Sequence, residues 1–262
     1  MIRRDHGKDG RHWLLIPQME HAHLSGQLAE KWGTGGFEAL EPRGQVLTAI
    51  YHHDDGWQPW DSDPDVDPLR GVPLAFSEMP LPEALAIWRR SIAAALQFGP
   101  LSGYIVAGHF GALLRRFDSW RSGDAQIAAE AVEFLDRYAA AMSEWLSTWQ
   151  ASAGGSEAAQ IADRGVRALQ FFDAVSLWLC CAQRDQPETM TDPGGQVVTF
   201  APVSAREIVV SPWPLSCASL SLEISGRVVA ARYYSTRDEL AREPSAIAHI
   251  EWGLRPTVEP DE

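Results

Sequence analysis

Residues 49–61, AIYHHDDGWQPWD, set His52, His53, Asp54 and Asp55 between an apolar run and two tryptophans, Trp57 and Trp60. Upstream, Val46, Leu47 and Ile50 share one helical face, so 43–57 reads as a helix closed by Gly56 and Pro59. Two readings of the polar quartet follow. Either it caps a core helix, or it ends that helix at a metal, because imidazole and carboxylate are the ligand set of zinc, iron, manganese and similar ions.

Helical spacing continues on both sides of this stretch. In 18–33, Leu24, Leu28 and Trp32 fall four apart before Gly33, Gly35 and Gly36 stop the run. Further helices are expected at 82–98, at 100–117 with a proline at the start, at 123–150 and at 157–181. Segment 11–16, RHWLLI, reads as a short strand. Segment 58–82 is rich in Pro and Asp, has no period, and reads as a solvated cover loop.

After residue 186 the pattern changes to short β-branched runs: QVVTFAP, REIVVSP, SLSLEI and RVVAARYY, with AIAHIEW as a further strand. ISGR (224–227) reads as the hairpin turn between two of them. The expected fold is mainly α, a helical bundle followed by a small antiparallel β-sheet. Residues 1–185 would form the helical domain, and 186–262 a β-rich region packed on it as one compact unit.

Composition narrows the function. A formal net charge of -13 repels phosphate backbones and anionic lipid, which sets nucleic acid polymers and membrane surfaces aside as partners. A small anionic substrate is still open, because a bound metal reverses the local field. Cys180, Cys181 and Cys217 form no CxxC pair, so neither a zinc ribbon nor a disulfide framework is indicated. Cys180 and Cys181 lie in an apolar helix and read as buried and inert. The charged start MIRRDHGKDGRHW and the lack of an apolar run of spanning length read as cytoplasmic. DSDPDVDP (61–68) imitates the start of a calcium loop, but Val66 stands where that loop needs glycine and Val72 where it needs glutamate. Arg70 follows, where an anionic substrate could meet it.

Four of the expected helices each carry polar residues against an apolar background: His21 and His23, His53 and Asp54, His109, and Asp173. A bundle can gather such residues from facing helices into its interior. Asp173 lies among Phe171, Phe172, Val175, Leu177 and Leu179, where a charge costs several kcal/mol unless it is paired or metal-bound. It therefore turns outward, pairs with an arginine such as Arg167, or binds a metal. His109 is either a neutral core histidine bonded to a carbonyl or a ligand. His21 shares a small-residue face with Ser25 and Ala29, which favours it over His23. His52 and Asp55 either orient a ligand, act as acid or base, or are polar residues at a helix end.

An early helical histidine, HDDG (53–56) at a helix end and an aspartate on a late helix resemble the HD-domain metal-dependent phosphohydrolase superfamily. More closely, QMEHAHLSGQLAEKWG, HHDDGWQPWD, DPLRGVPLAF and FFDAVSLWLC are similar to an uncharacterised bacterial family of divergent HD-like proteins. The superfamily implies a divalent metal (Fe, Mn, Zn or Ni; one ion or two) held by His21, His53, Asp54 and Asp173, with His109 added for a second ion. It implies hydrolysis of a small phosphorylated metabolite or nucleotide, with metal-bound water as nucleophile; Asp54, and His52 and Asp55 by their position beside the HD pair, are the catalytic candidates. The lysine usual after HD-x-G is Trp57 here. That departure keeps two other functions in view, an HD-type di-iron oxygenase and a non-catalytic module that binds a small molecule or partner.

Overall fold

The computed structural model describes residues 1–7, 9–181 and 186–257. Two strands open the chain, β1 (Ile2–His6) and β2 (His12–Ile16). Seven helices follow: α1 (Gln18–Lys31), α2 (Arg43–Tyr51), α3 (Gln58–Ser62), α4 (Leu81–Leu96), α5 (Pro100–Arg116), α6 (Ala125–Trp149) and α7 (Ala158–Cys181). The chain then returns to strand with β3 (Glu188–Thr191), β4 (Val197–Pro202), β5 (Glu207–Ser211), β6 (Leu220–Ala230) and β7 (Ala246–Pro256). A short helix, α8 (Arg237–Arg242), stands between β6 and β7.

The sheet overturns the expected fold class. It is a seven-stranded mixed sheet in the order β1-β2-β6-β7-β5-β4-β3, where a mainly α bundle with a small antiparallel sheet was expected. β5 and β7 run parallel, and the other pairs are antiparallel. Strands from both ends of the chain enter this one sheet. The expected division between 185 and 186 abuts residues 182–185, which lie outside the described residues.

Each difference has a local physical cause. β1 lacks a clean alternation because its arginines are used as polar fasteners. Arg3 makes two 3.0 Å hydrogen bonds to Glu78, and Arg4 donates to the Cys180 carbonyl at the end of α7. ISGR is no turn, since Gly226 lies inside β6 opposite Ala248. A Cβ there would sit 2.8 Å from Leu14 Cδ1 and 3.0 Å from the Leu15 carbonyl oxygen, so this glycine marks a close approach by β2. The helix expected over 43–57 stops at Tyr51, and a 3₁₀ turn occupies Asp55–Trp57.

The cover segment keeps Ser62, Asp63, Asp65, Pro68, Leu69 and Arg70 exposed, and it is tied down as well. Asp67 accepts from the backbone N–H groups of Leu69 and Arg70 and pairs with the Arg70 guanidinium, which also reaches Glu78. Asp61 is drawn inside. It accepts from the Gln18 backbone N–H at the start of α1 (2.7 Å) and pairs with the Met1 amine (2.9 Å). Cys180 is buried as expected, but Cys181 is exposed.

The helices α1, α2, α5 and α7 pack mutually, with α1 also against β6 and α7 against β1. This core positions the site. Among the described residues no helix is long and apolar enough to cross a membrane.

Candidate metal centre

The packing of α1, α2, α5 and α7 brings five polar side chains to one buried point. His21 comes from the first turns of α1, His109 from the middle of α5, and Asp173 from α7. His53 and Asp54 come from the turn after α2. Their exposures run from 0% for His53 to 7% for Asp173. Asp173 does not turn outward. Arg167, the partner considered for it, donates instead to the Pro193 carbonyl. His23 is exposed, its ring against Tyr51, and stands outside the group.

The donor atoms are spaced like ligands of one ion. His21 Nε2 lies 3.0 Å from Asp54 Oδ2 and 3.6 Å from Asp173 Oδ1. His53 Nε2 lies 3.6 Å from Asp54 Oδ2 and 3.5 Å from Asp173 Oδ1. Ligand bonds of about 2.0–2.2 Å place two donors roughly 3.0–3.5 Å apart for angles between square and tetrahedral. His53 adds a second test of fit. Its Nδ1–H donates to the Ile50 carbonyl at 2.8 Å, which leaves Nε2 bare, and that buried atom has no hydrogen-bond partner. An orphaned nitrogen lone pair aimed at two carboxylates is unfavourable unless a proton or a cation lies between them. The residues therefore fit a divalent metal. His109 is more distant, with Nε2 3.9 Å from Asp173 Oδ2 and a buried Nδ1 that has no hydrogen-bond partner.

The electrostatics follow from burial and proximity. Burial alone would lower the His53 pKa, but Asp54 and Asp173 outweigh it and raise it to about 9. Burial works against ionisation of Asp54 and Asp173 too. The neighbouring imidazoles prevail, holding Asp54 below its usual range and Asp173 at about 2. For His109 burial wins, and its pKa falls to about 4.

These shifts set a pH dependence for the metal-free protein. His53 binds its proton more tightly folded than unfolded, so its contribution is fully present below about pH 6.5 and is lost as pH rises through about 9. His109 has the opposite sign, since the unfolded chain takes up its proton first. That contribution is lost as pH falls from about 6.5 toward 4. Calorimetry in chelator should therefore show wild type losing stability between pH 6.5 and 9 relative to His53→Gln. Parallel curves for the two proteins over that range would contradict the assignment.

His52 and Asp55 are placed apart from the five. His52 Nδ1 meets Asp55 Oδ2 at 2.9 Å, and the His52 ring packs at 4.5 Å on Phe98, a half-exposed side chain. Sequence reading missed the residues behind the ligands. Ser176 Oγ lies 2.8 Å from His21 Nδ1, and Ser25 Oγ lies 2.7 Å from Ser176 Oγ. Ser91 Oγ accepts from the Gly56 N–H at 3.1 Å, and Arg90 donates to the Gly56 carbonyl at 3.2 Å. The i, i+3 spacing of Asp173 and Ser176, with Ser25 one turn after His21, was the available signal for the serines.

Fold and site together define an α+β protein with three histidines and two aspartates clustered in its helical core. The chain belongs to the family described as protein of unknown function (DUF3891), whose model matches residues 1–231. No curated protein and no solved structure matches it.

Proposed function

We propose that the protein is a metal-dependent hydrolase of a small phosphorylated metabolite or nucleotide. His21, His53, Asp54 and Asp173 would hold one divalent ion, of Fe, Mn, Zn or Ni. The observation that carries the reading is the convergence of two imidazole nitrogens on two carboxylate oxygens, with the four His–Asp separations at 3.0–3.6 Å, in a buried site. The likeness of His21, HDDG and Asp173 to the HD-domain superfamily supports it in chain order. Bound there, the ion would lower the pKa of a coordinated water and neutralise charge on phosphoryl oxygens.

The chain's own part is to prepare that position. Asp54 and Asp173 stay anionic at neutral pH, which gives a divalent ion two carboxylates. The Ile50 carbonyl fixes the His53 ring with its lone pair inward. Burial excludes bulk water from all four ligands. His109, kept neutral, borders the free side of Asp173, where a substrate or a further ligand would meet it. No proton transfer is placed on His52 or Asp55, whose pair faces Phe98.

One ion is favoured over two, and the hydrolase over a di-iron oxygenase, by a shared ligand. His53 belongs both to the triad with His21 and Asp54 and to the triad with His109 and Asp173. Its one free nitrogen binds one ion. A second ion at Asp173 Oδ2 would find in those triads His109 as its only unshared ligand.

The test is phosphate release by chain reconstituted with Mn²⁺ or Zn²⁺, screened on nucleotides, sugar phosphates and a chromogenic phosphate ester. Turnover of a small phosphate ester that chelator stops and Asp54→Asn lacks is the expected result. A fully loaded chain that releases no phosphate from any of them would overturn the hydrolase in favour of binding alone.

A further inference from the structure

We infer that Ser176, backed by Ser25, is a positioning residue that fixes the ring and tautomer of His21 for metal binding; this rests on the metal centre proposed above. Both serines are fully buried. Neither was expected from the motif.

The hydrogen-bond count makes the assignment. Ser176 Oγ has three polar neighbours: the Asp173 carbonyl at 2.9 Å, Ser25 Oγ at 2.7 Å and His21 Nδ1 at 2.8 Å. A hydroxyl has one proton and two lone pairs. With its proton donated to the Asp173 carbonyl, Ser176 has two lone pairs left for its other two neighbours. Ser176 then accepts from Ser25 O–H and from His21 Nδ1–H, and all of its capacity is used. The Ser25 hydroxyl has the His21 carbonyl at 3.0 Å as an alternative acceptor. In that arrangement Ser176 donates to Ser25 and still accepts from Nδ1–H. A third arrangement, with Ser176 donating to His21 Nδ1 and His21 Nε2–H donating to Asp54 Oδ2 at 3.0 Å, is open to the metal-free chain alone; a metal on Nε2 requires the proton on Nδ1, with Ser176 as its acceptor. His53 reaches the same state by a different route, through the Ile50 carbonyl.

The two rings are therefore set by two devices toward one point, with their centroids 5.2 Å apart and their planes at 88°. Because Ser176 is on α7, three residues after Asp173, one turn of helix supplies a ligand and the group that orients another. Removing the hydroxyl leaves His21 Nδ1–H buried without an acceptor. The ring then does better with its proton on Nε2, donated to Asp54, and the nitrogen is lost to the metal.

The experiment is competitive titration of Mn²⁺ against a chelator, for wild type, Ser176→Ala, Ser25→Ala and Ser176→Thr. Expected is a loss of affinity of roughly 10–100-fold for Ser176→Ala with stoichiometry kept. Ser25→Ala should lose less, and Ser176→Thr should recover affinity because it keeps the hydroxyl. Long-range ¹H–¹⁵N spectra of the zinc-loaded wild type supply a readout that needs no variant, with His21 expected to carry its proton on Nδ1. Equal affinity in wild type and Ser176→Ala, or a His21 proton on Nε2 in the zinc-loaded protein, would overturn the role of Ser176. Failure of wild type to bind Mn²⁺ or Zn²⁺ would instead overturn the metal centre itself.

Discussion

His53→Ala and Asp54→Ala should each abolish binding of the proposed divalent ion, whereas His52→Ala should leave the metal content close to that of wild type. The contrast between neighbours is what makes this result informative. His53 and Asp54 are nearly fully buried and direct one donor atom each to within 3.6 Å of another member of the cluster. His52 directs its Nδ1 to Asp55 and packs its ring on Phe98, outside the cluster. Removing His53 also leaves Asp54 and Asp173 as buried carboxylates short of a counter-charge. Breaking a buried pair in that way costs about 3–5 kcal/mol. His53→Ala should thus melt lower than wild type even in chelator. Asp54→Asn, which keeps the shape, separates loss of the ligand from loss of packing. Metal analysis after reconstitution and desalting decides the matter. Equal content in wild type and all three alanine variants would refute the centre.

Much of the helical core was open to sequence reading, because α1 and α4 to α7 carry long amphipathic patterns whose period is unambiguous. The five clustered residues stood out for the same reason, as polar side chains on otherwise apolar faces. The sheet was harder, and the failures are specific. β1 hides its strand character behind Arg3 and Arg4, which work as fasteners to Glu78 and to the end of α7. Gly226 has the composition of a turn but serves the close approach of β2 to its neighbour β6. The parallel pairing of β5 with β7 leaves no trace in either strand, since parallel and antiparallel neighbours ask for similar β-branched residues. Ser176 left only its i, i+3 spacing from Asp173 in the sequence, because a serine gains meaning from the acceptors around it.

Gly56→Ala should destabilise the protein strongly and empty the metal centre, although glycine supplies no ligand. The residue is held between the His53–Asp54 turn and α4. A Cβ built there would lie 2.4 Å from the Ser91 backbone nitrogen, 2.5 Å from the Ile87 carbonyl oxygen and 2.6 Å from Ser91 Oγ. Two of those three atoms are helical backbone and cannot swing aside, so the turn itself must retreat. Retreat pulls the Gly56 N–H off Ser91 Oγ and the Gly56 carbonyl off Arg90. Overpacking of this kind costs about 1–3 kcal/mol, and a buried N–H left without its partner adds about 1–3 kcal/mol. At about 2–4 °C per kcal/mol for a chain near this size, the melting temperature should fall by roughly 4–24 °C. Asp54 is two residues away and is fixed by the same turn, so its carboxylate moves with it and the 3.0 Å contact to His21 opens. Ser91→Ala is the graded control, since it removes the acceptor without adding bulk, and it should lose about half as much stability while retaining metal. The measurement is a paired thermal melt and metal analysis on wild type, Gly56→Ala and Ser91→Ala. A Gly56→Ala protein that melts with wild type and loads fully would show that the HDDG turn tolerates a side chain against α4, and the close approach would no longer explain its glycine.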